Sequence, residues 1–470
     1  MILESVIGLE IHARLNTRSK MFCACDNVIF DQAPNTQVCP ICLGFPGMLP
    51  VVNQEAVKLG VLTALALSCE ILEECKFDRK NYFYPDLPKG YQISQYKQPL
   101  SKKGYLEIKN QRFGITRVHL EEDAGKLIHT QEASLVDFNR SGTPLMEIVT
   151  EPDFRSVEDV VVFLKELQKI LRCLGSSQAE MEKGMLRVDA SISLRPQGET
   201  KLYPRSEIKN LNSFRAVQKA LNFEIKRQQK LWEEGKPQSA QVSLLWDADK
   251  EETQFMRAKE EENDYRYFPE PDLPPLKIEK DFIEKLKQNL PELPLVKQKH
   301  YIETFGLSNE VAGIMTSNPT LSALFETTGK ICRNYKKTAN WIGSVVLGLY
   351  DNFADLKFIA ADLAEVIQLV EENKLSNLNG KKVVELMQAT GLKPNVIIEK
   401  YNLAQKDNAG ELEQICQKII QANSEQVARY RAGKETLLGF FIGQAMRGVG
   451  NNLDPKKVKE TLERLLNFKP

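Results

Sequence analysis

The chain has 470 residues, 42% of them apolar and 27% charged, a composition typical of a globular protein with two or three domains. Lys+Arg and Asp+Glu both number 63, and the resulting zero net charge argues against a free-standing nucleic-acid-binding module, which usually carries a basic excess. The N-terminus lacks the basic and apolar regions of a secretory signal, and the longest apolar runs are too short to cross a bilayer, so we expect a cytoplasmic protein without membrane contact.

The first predicted element is a β-strand over residues 6–12, in which apolar and polar residues alternate. Its polar face carries Glu10 and His12, two residues apart. A carboxylate and an imidazole at this spacing can share a divalent cation. For this pair alone a solvated strand face is the simpler interpretation, so the metal hypothesis depends on further acidic segments.

Four of the nine cysteines follow as two closely spaced couples, Cys23 with Cys25 and Cys39 with Cys42. Thiolates on two tight turns suit tetrahedral zinc, and in a chain without a secretory signal such thiols are a metal site more often than disulfides. Because four protein ligands leave no open coordination position, this zinc would be structural. Four reduced thiols in a loop are the alternative.

Two later segments combine bases with features of a phosphate-binding loop. Residues 77–85 place Arg79 and Lys80 close to the three consecutive aromatic residues 82–84, and residues 137–144 place Arg140 before a glycine-containing turn. Both segments could hold phosphate groups, although bases among aromatics also occur on ordinary surfaces. The sequence has no Walker loop, GxGxxG or kinase signature, so an ATP pocket here would be of an unusual kind.

Acidic residues recur in three further strand-like segments. Glu121 and Glu122 belong to a run of three acids, Glu147 is the one ionisable residue in an apolar run, and Asp189 lies on the polar face of a predicted strand over residues 187–194. Crowded or buried carboxylates are costly unless they are paired or bind a metal. Each acid alone is more simply a salt-bridge partner, but together they predict a Mg²⁺ site and phosphoryl transfer.

The remaining elements define the fold class. A capping-box pattern predicts a helix over residues 156–175, and a second helix is predicted over residues 213–235. Strands and helices mix without a βαβ repeat, which predicts an α+β fold. The prolines of residues 269–275 exclude a helix or a central strand and predict a domain edge. From residue 291 onward the chain is predicted to be helical, with a break at residues 391–407.

Long ordered strings in the first 275 residues resemble the defining motifs of the B subunits of aspartyl/glutamyl-tRNA amidotransferases. They cover residues 6–12, 77–95, 119–126, 139–153, 207–214 and 264–272. The resemblance implies a cradle-like α+β domain with an antiparallel sheet over residues 1–290 and two all-helical domains. These are a middle domain over residues 291–400 and a small tail over residues 401–470 that contacts tRNA.

The resemblance also implies a reaction. The family uses ATP and Mg²⁺ to phosphorylate the side-chain carboxylate of Glu-tRNA(Gln) or Asp-tRNA(Asn). Ammonia that the amidase (glutaminase) partner releases from glutamine then passes through a channel and displaces the phosphate, while a small third partner holds the two large chains of the heterotrimer together. The sequence shows no catalytic serine or cysteine constellation for glutamine hydrolysis, which agrees with that step belonging to the amidase.

By the same resemblance, Glu10, His12 and Glu122 are expected to hold Mg²⁺. The other expected site residues fall into two groups, the acids that complete the pocket or guide ammonia (Glu121, Glu147 and Asp189) and the bases that contact ATP phosphates (Arg79 and Lys80, together with Arg140). Two alternatives remain open. A tRNA-binding scaffold would need no converging acids, and a zinc hydrolase would need an open metal site.

Overall fold

The computed structural model describes residues 2–258, 265–349, 355–405, 409–449 and 455–467. Contacts along the chain divide it into two units, Met1–Val296 and Lys297–Pro470. The strands described in the first unit are β1 (Leu3–Arg14), β2 (Glu70–Ile71), β3 (Glu74–Cys75), β4 (Asp78–Asn81), β5 (Tyr91–Ser94), β6 (Ser101–Ile108), β7 (Gln111–Glu122), β8 (Lys126–His129), β9 (Ser134–Asp137), β10 (Pro144–Thr150), β11 (Leu186–Pro196), β12 (Ser206–Leu211), β13 (Val242–Asp247), β14 (Glu252–Ala258), β15 (Phe268–Pro269) and β16 (Leu276–Lys277).

Nine of these strands form one sheet in the order β14-β13-β12-β11-β1-β10-β7-β6-β2. Its neighbouring strands are antiparallel except for β12 and β13, which run parallel. The first predicted strand, β1, therefore lies at the centre. Its alternate residues Ile7, Leu9 and Ile11 are buried in the hydrophobic core. The prediction of an α+β fold with a largely antiparallel sheet is confirmed.

The helices of this unit are α1 (Gln54–Ala66), α2 (Val157–Cys173), α3 (Phe214–Glu233) and α4 (Lys280–Gln288). The Ser156 hydroxyl accepts a hydrogen bond from the Asp159 amide at 3.1 Å, and the Ser213 hydroxyl accepts one from the Ala216 amide at 3.0 Å, so α2 and α3 begin at the predicted caps. Helices α1 and α3 pack on strands β7 and β11, and the apolar residues of the sheet point toward them. The opposite face of the sheet is left for polar side chains.

The proline-rich stretch at residues 269–275 does not end the first unit, which continues to Val296. Strand β15 pairs with β4 at the edge of a small three-stranded sheet, and β16 pairs with β3. An edge strand tolerates proline because one side of it needs no backbone donor. The predicted domain edge therefore lies too early in the chain.

The rest of the chain is helical, with α5 (Pro294–Phe305), α6 (Asn309–Met315), α7 (Pro319–Cys332), α8 (Tyr335–Trp341), α9 (Ala360–Glu371), α10 (Asn377–Thr390), α11 (Pro394–Lys400), α12 (Ala409–Ala422), α13 (Ser424–Arg431), α14 (Leu438–Val449) and α15 (Pro455–Asn467). One hydrophobic core spans residues 301–403 and another spans residues 412–466. The predicted division into a middle domain and a tail stays a prediction. None of the described helices combines the length and apolar composition that crossing a membrane requires.

Candidate functional site

The strand register brings polar side chains together on the sheet face that points away from the helices. His12 in β1 lies directly opposite Glu147 in β10, which in turn lies opposite His119 in β7. Glu10 precedes His12 by two residues in β1, and Glu121 follows His119 by two residues in β7, so both acids point to the same face as the histidines. Direct cross-strand neighbours have Cβ atoms about 4.5–5.5 Å apart. Five ionisable groups from three strands therefore converge.

These groups are in contact. The Nε2 atom of His12 lies 3.3 Å from Glu121 Oε1 and 3.3 Å from Glu147 Oε2. His119 Nε2 lies 3.2 Å from Glu147 Oε2 and 3.8 Å from Glu121 Oε2. One ligand atom from each of Glu10, His12 and Glu147 can be chosen so that all three lie within 4.8 Å of one another, and the same holds for His119, Glu121 and Glu147. Glu147 is thus shared by two overlapping groups, either of which could hold a metal ion.

Burial and crowding perturb every charge in this cluster. Burial alone would raise the pKa of Glu147, but the charge of His119 and hydrogen bonds from both imidazoles hold it well below its usual value. Burial would likewise lower the pKa of His119, whereas Glu147 and Glu121 raise it to about 9. The pKa of Glu10 is raised to about 7, first by burial and then by the Glu147 charge. A divalent cation would ionise Glu10 and offset this repulsion, so the donor set suits a bound metal ion.

Asp189 lies on the same face but has a different partner. It is opposite Glu10 in the register, and its Oδ2 atom accepts a hydrogen bond from Lys209 Nζ at 2.9 Å. Lys209 also lies 3.3 Å from Glu207 Oε1. Asp189 therefore extends the acidic face by one strand, while its own charge is already paired.

A cavity of about 300 Å³ opens over this face. Lys80 enters it from β4, and among the described residues its ammonium forms no hydrogen bond or ion pair; the nearest ring centre is that of Tyr265, at 4.8 Å. Burial by itself would lower the pKa of Lys80, but the charges of Glu121 and Glu147 raise it above its usual value, so the group is cationic. Other charged and aromatic lining residues are Arg117, Arg205, Glu207, Lys209, Tyr96 and Tyr267.

Glu122 does not lie in this cavity. Because successive strand residues point to opposite faces, Glu121 joins the cluster and Glu122 points away from it. There Glu122 forms a buried ion pair with Lys89 beside a second cavity of about 190 Å³ under the cysteine loop. The expected grouping of Glu122 with Glu10 and His12 is therefore corrected: the structure brings Glu121 to His12, and Glu147 to both Glu10 and His12.

Two of the three predicted phosphate-binding bases are also directed to protein partners. Arg79 forms two hydrogen bonds with the Glu270 carboxylate, at 2.7 and 2.8 Å. Arg140 donates to the backbone carbonyls of residues 124 and 125, at 3.0 and 2.6 Å. Neither base lines the cavity over the acidic face. Of the three, the structure brings only Lys80 to the site.

The four cysteines converge as predicted, with all four Sγ atoms within 4.8 Å of one another. The Cys39 amide donates to Cys42 Sγ at 3.2 Å, and the buried Lys20 ammonium lies 3.8 Å from the same sulfur. A hydrogen bond from Cys23 is the main cause that lowers the pKa of Cys42 to about 5. The cluster could hold a structural metal ion, since the amide and the ammonium offset thiolate charge.

Several site residues were missed from the sequence. His119 has the two-residue spacing from Glu121 that places both on one face, so strand alternation was a sufficient signal. Glu207 and Lys209 show the same spacing in β12. Lys89 gave no comparable signal, because its partnership with Glu122 depends on a contact between distant segments.

Comparison with known proteins gives matches along the whole chain. Residues 5–284 match the GatB/GatE catalytic domain, and residues 323–466 match the GatB domain. The chain is 46% identical over 474 residues to the aspartyl/glutamyl-tRNA(Asn/Gln) amidotransferase B subunit of Thermodesulfovibrio yellowstonii, covering 98% of this chain and 99% of the relative. The protein of the same name from Carboxydothermus hydrogenoformans is 44% identical over 472 residues, with 98% of each chain covered. That of Persephonella marina is 44% identical over 475 residues, covering 99% of this chain and 100% of the relative.

Proposed function

Since this chain belongs to the GatB/GatE family of tRNA-dependent amidotransferase B subunits, we propose that it activates an amino acid attached to tRNA. ATP phosphorylates the side-chain carboxylate of Glu-tRNA(Gln), Asp-tRNA(Asn) or both. Ammonia then converts the acyl phosphate into the amide. The observation that carries this proposal is the convergence of Glu10, His12, Glu121 and Glu147 beneath a cavity that Lys80 enters. A scaffold without chemistry would gain nothing from burying these acids together.

The donor set fits Mg²⁺, with Glu10, His12, Glu121 and Glu147 as its holders. The fit rests on the oxygen-rich donor set and on its geometry, since the ligand atoms of Glu10, His12 and Glu147 lie within 4.8 Å of one another, as do those of His119, Glu121 and Glu147. When bound, the ion would offset the negative charges of ATP and of the acceptor carboxylate, which otherwise repel each other. His119 would hold the carboxylates of Glu121 and Glu147 in orientation, as an imidazole behind a metal site commonly does.

The phosphoryl transfer itself needs a fixed positive charge and alignment. Lys80 supplies this charge, because its ammonium lies in the cavity. The nearby charges of Glu121 and Glu147 raise its pKa and so keep it protonated. The γ-phosphoryl group passes to a side-chain carboxylate oxygen and ADP leaves. Ammonia next attacks the carbonyl carbon, phosphate leaves, and the nitrogen loses a proton. Asp189 belongs to the same acidic face and lies beside the reacting groups in this proposal.

The proposal extends to partners and to the cysteine cluster. Ammonia would come from an amidase partner that hydrolyses glutamine, and a small third chain would complete a cytoplasmic heterotrimer. The four cysteines would hold structural Zn²⁺ away from the reaction, since four sulfur ligands leave no open position for water. A zinc hydrolase is not supported by such a ligand set.

The test is amide formation by the reconstituted heterotrimer with ATP, glutamine and each mischarged tRNA. We expect Lys80→Met to abolish amide formation while tRNA binding and glutamine hydrolysis persist. The matched control is Lys102→Met, because Lys102 lies on β6 with its side chain 43% exposed and its ammonium 3.9 Å from the exposed Glu70. If Lys80→Met forms amide at the wild-type rate, the role assigned to Lys80 in phosphoryl transfer is wrong.

A further inference from the structure

Residues 265–272 form a strap that returns to β4 and walls the cavity. Phe268 and Pro269 pair with Arg79 and Asp78, and the Asn81 side-chain amide donates to the carbonyl of residue 266 at 2.8 Å. From this strap two tyrosine rings, at positions 265 and 267, line the cavity over the acidic face. The strap thus belongs to the wall of the proposed site although it supplies none of the converging acids.

Arg79 fastens the strap from the side away from the cavity. Its guanidinium donates twice to Glu270, at 2.7 and 2.8 Å, and lies 3.1 Å from Asp272 Oδ2. The Glu270 side chain is completely buried, so its charge depends on this partner. The Arg79 guanidinium also lies 4.2 Å from the ring centre of Tyr91. Two-residue alternation explains the arrangement, since Lys80 points into the cavity and its neighbour Arg79 points out of it.

The strap reaches the site chemistry through Tyr265. Its ring centre lies 4.8 Å from Lys80 Nζ, a distance at which a cation and an aromatic face attract each other. We propose that Arg79 is a positioning residue that acts through Glu270: it keeps the strap on β4 and thereby holds Tyr265 against the Lys80 ammonium. This inference rests on the proposed function, in which Lys80 binds ATP phosphate. In this inference Arg79 does not contact the phosphates of ATP directly, although the sequence predicts such a contact.

A double-mutant cycle in the reconstituted heterotrimer separates these two roles of Arg79. If it acts as a positioning residue, Arg79→Gln, Glu270→Gln and the double variant each raise the KM for ATP by a similar factor of about tenfold, with kcat within about threefold of wild type. The double variant adds nothing, because either single change already releases the strap. If Arg79 bound phosphate, Arg79→Gln would raise KM while Glu270→Gln, which frees the guanidinium, would not.

The matched control is the exposed pair Arg112 and Glu107, joined at 2.9 Å on β6 and β7. The same glutamine substitutions there should leave KM and kcat unchanged. Unequal KM shifts for Arg79→Gln and Glu270→Gln, unchanged KM in both, or a loss confined to kcat would overturn the inference. If Arg79→Gln does not fold, Arg79→Lys carries the comparison, since it keeps the charge but loses the paired hydrogen bonds. A wild-type complex without ATP-dependent amide formation would refute the proposed function instead.

Discussion

Glu147→Gln is the most direct test of the metal-binding cluster. This substitution keeps the shape of the side chain but removes a charge that both potential metal groups share. His12 and His119 would lose an anionic acceptor, at 3.3 and 3.2 Å respectively. Meanwhile Glu10 would lose the charge that, after burial, contributes most to raising its pKa. In the metal-free protein, the lost contacts of the two imidazoles and the reduced repulsion of Glu10 therefore offset each other. We expect the variant to stay folded.

The effect on metal binding has no such compensation. Removing even a residue that only supports a metal ligand typically lowers affinity about 10–100-fold. Glu147 is a direct ligand in the proposed site, so we expect a loss of at least roughly 100-fold, which corresponds to about 2.7 kcal/mol of binding free energy. Amide formation should fall at least in proportion when Mg²⁺ is limiting.

The measurement is a calorimetric titration of the assembled complex with Mn²⁺, in the absence of ATP and tRNA. Amide formation is assayed in parallel. Glu122→Gln is the matched control, because Glu122 follows Glu121 in sequence but points to the other face of the sheet and pairs with Lys89. We expect Glu122→Gln to retain wild-type Mn²⁺ affinity.

Two results would contradict this reasoning. Wild-type Mn²⁺ affinity in Glu147→Gln would show that the ion binds elsewhere. The strand geometry requires the two faces of the sheet to act separately. An equal loss of affinity in Glu122→Gln would show that they do not.

Three further predictions concern parts of the first unit outside the cavity. Cys42→Ser should remove about one equivalent of zinc per chain and lower the melting temperature, as metal analysis and calorimetry can check; an unchanged melting temperature would exclude a structural role. Lys89→Met should lower the free energy of unfolding by roughly 3–5 kcal/mol in urea, because it leaves the buried Glu122 charge unpaired, and adding Glu122→Gln should restore most of it. Burial raises the pKa of Glu166, so its folded form binds a proton more tightly than the unfolded chain and stability falls as the pH rises above about 4.5. Glu166→Gln should therefore raise the free energy of unfolding at pH 7 but not at pH 4, and an equal effect at both would contradict this sign.

Much of the fold was predictable because its patterns are local. Strand β1 shows its two-residue alternation within a dozen residues, and α2 carries its cap, apolar face and terminating glycine in one stretch. The convergence of the four cysteines was predictable because each couple lies within a few residues, on one tight turn. The prolines at 269–275 misled because proline excludes a central strand but not the edge strand that β15 forms.

The site was predictable in composition but not in its grouping. The acids were recognised as a set, yet Glu122 was placed with Glu10 and His12, although alternation along β7 sends Glu121 to their face instead. Strand alternation was also neglected when Arg79 and Lys80, which are neighbours in β4, were both predicted to contact phosphate. Adjacent residues on a strand look equivalent in a motif, but the pleat separates them by the thickness of the sheet.

The sequence by itself determined which chemistry is available here: carboxylates and imidazoles on strand faces, four thiols on turns, and a lysine among aromatic residues. Only the tertiary structure decided which of them meet. Antiparallel register placed His12 opposite Glu147 and Glu147 opposite His119. Arg79 pairs with Glu270, a residue of the strap that lies almost two hundred positions later in the chain. The physical reason is that side-chain type is a property of one residue, whereas contact depends on register and burial, which the whole core sets at once.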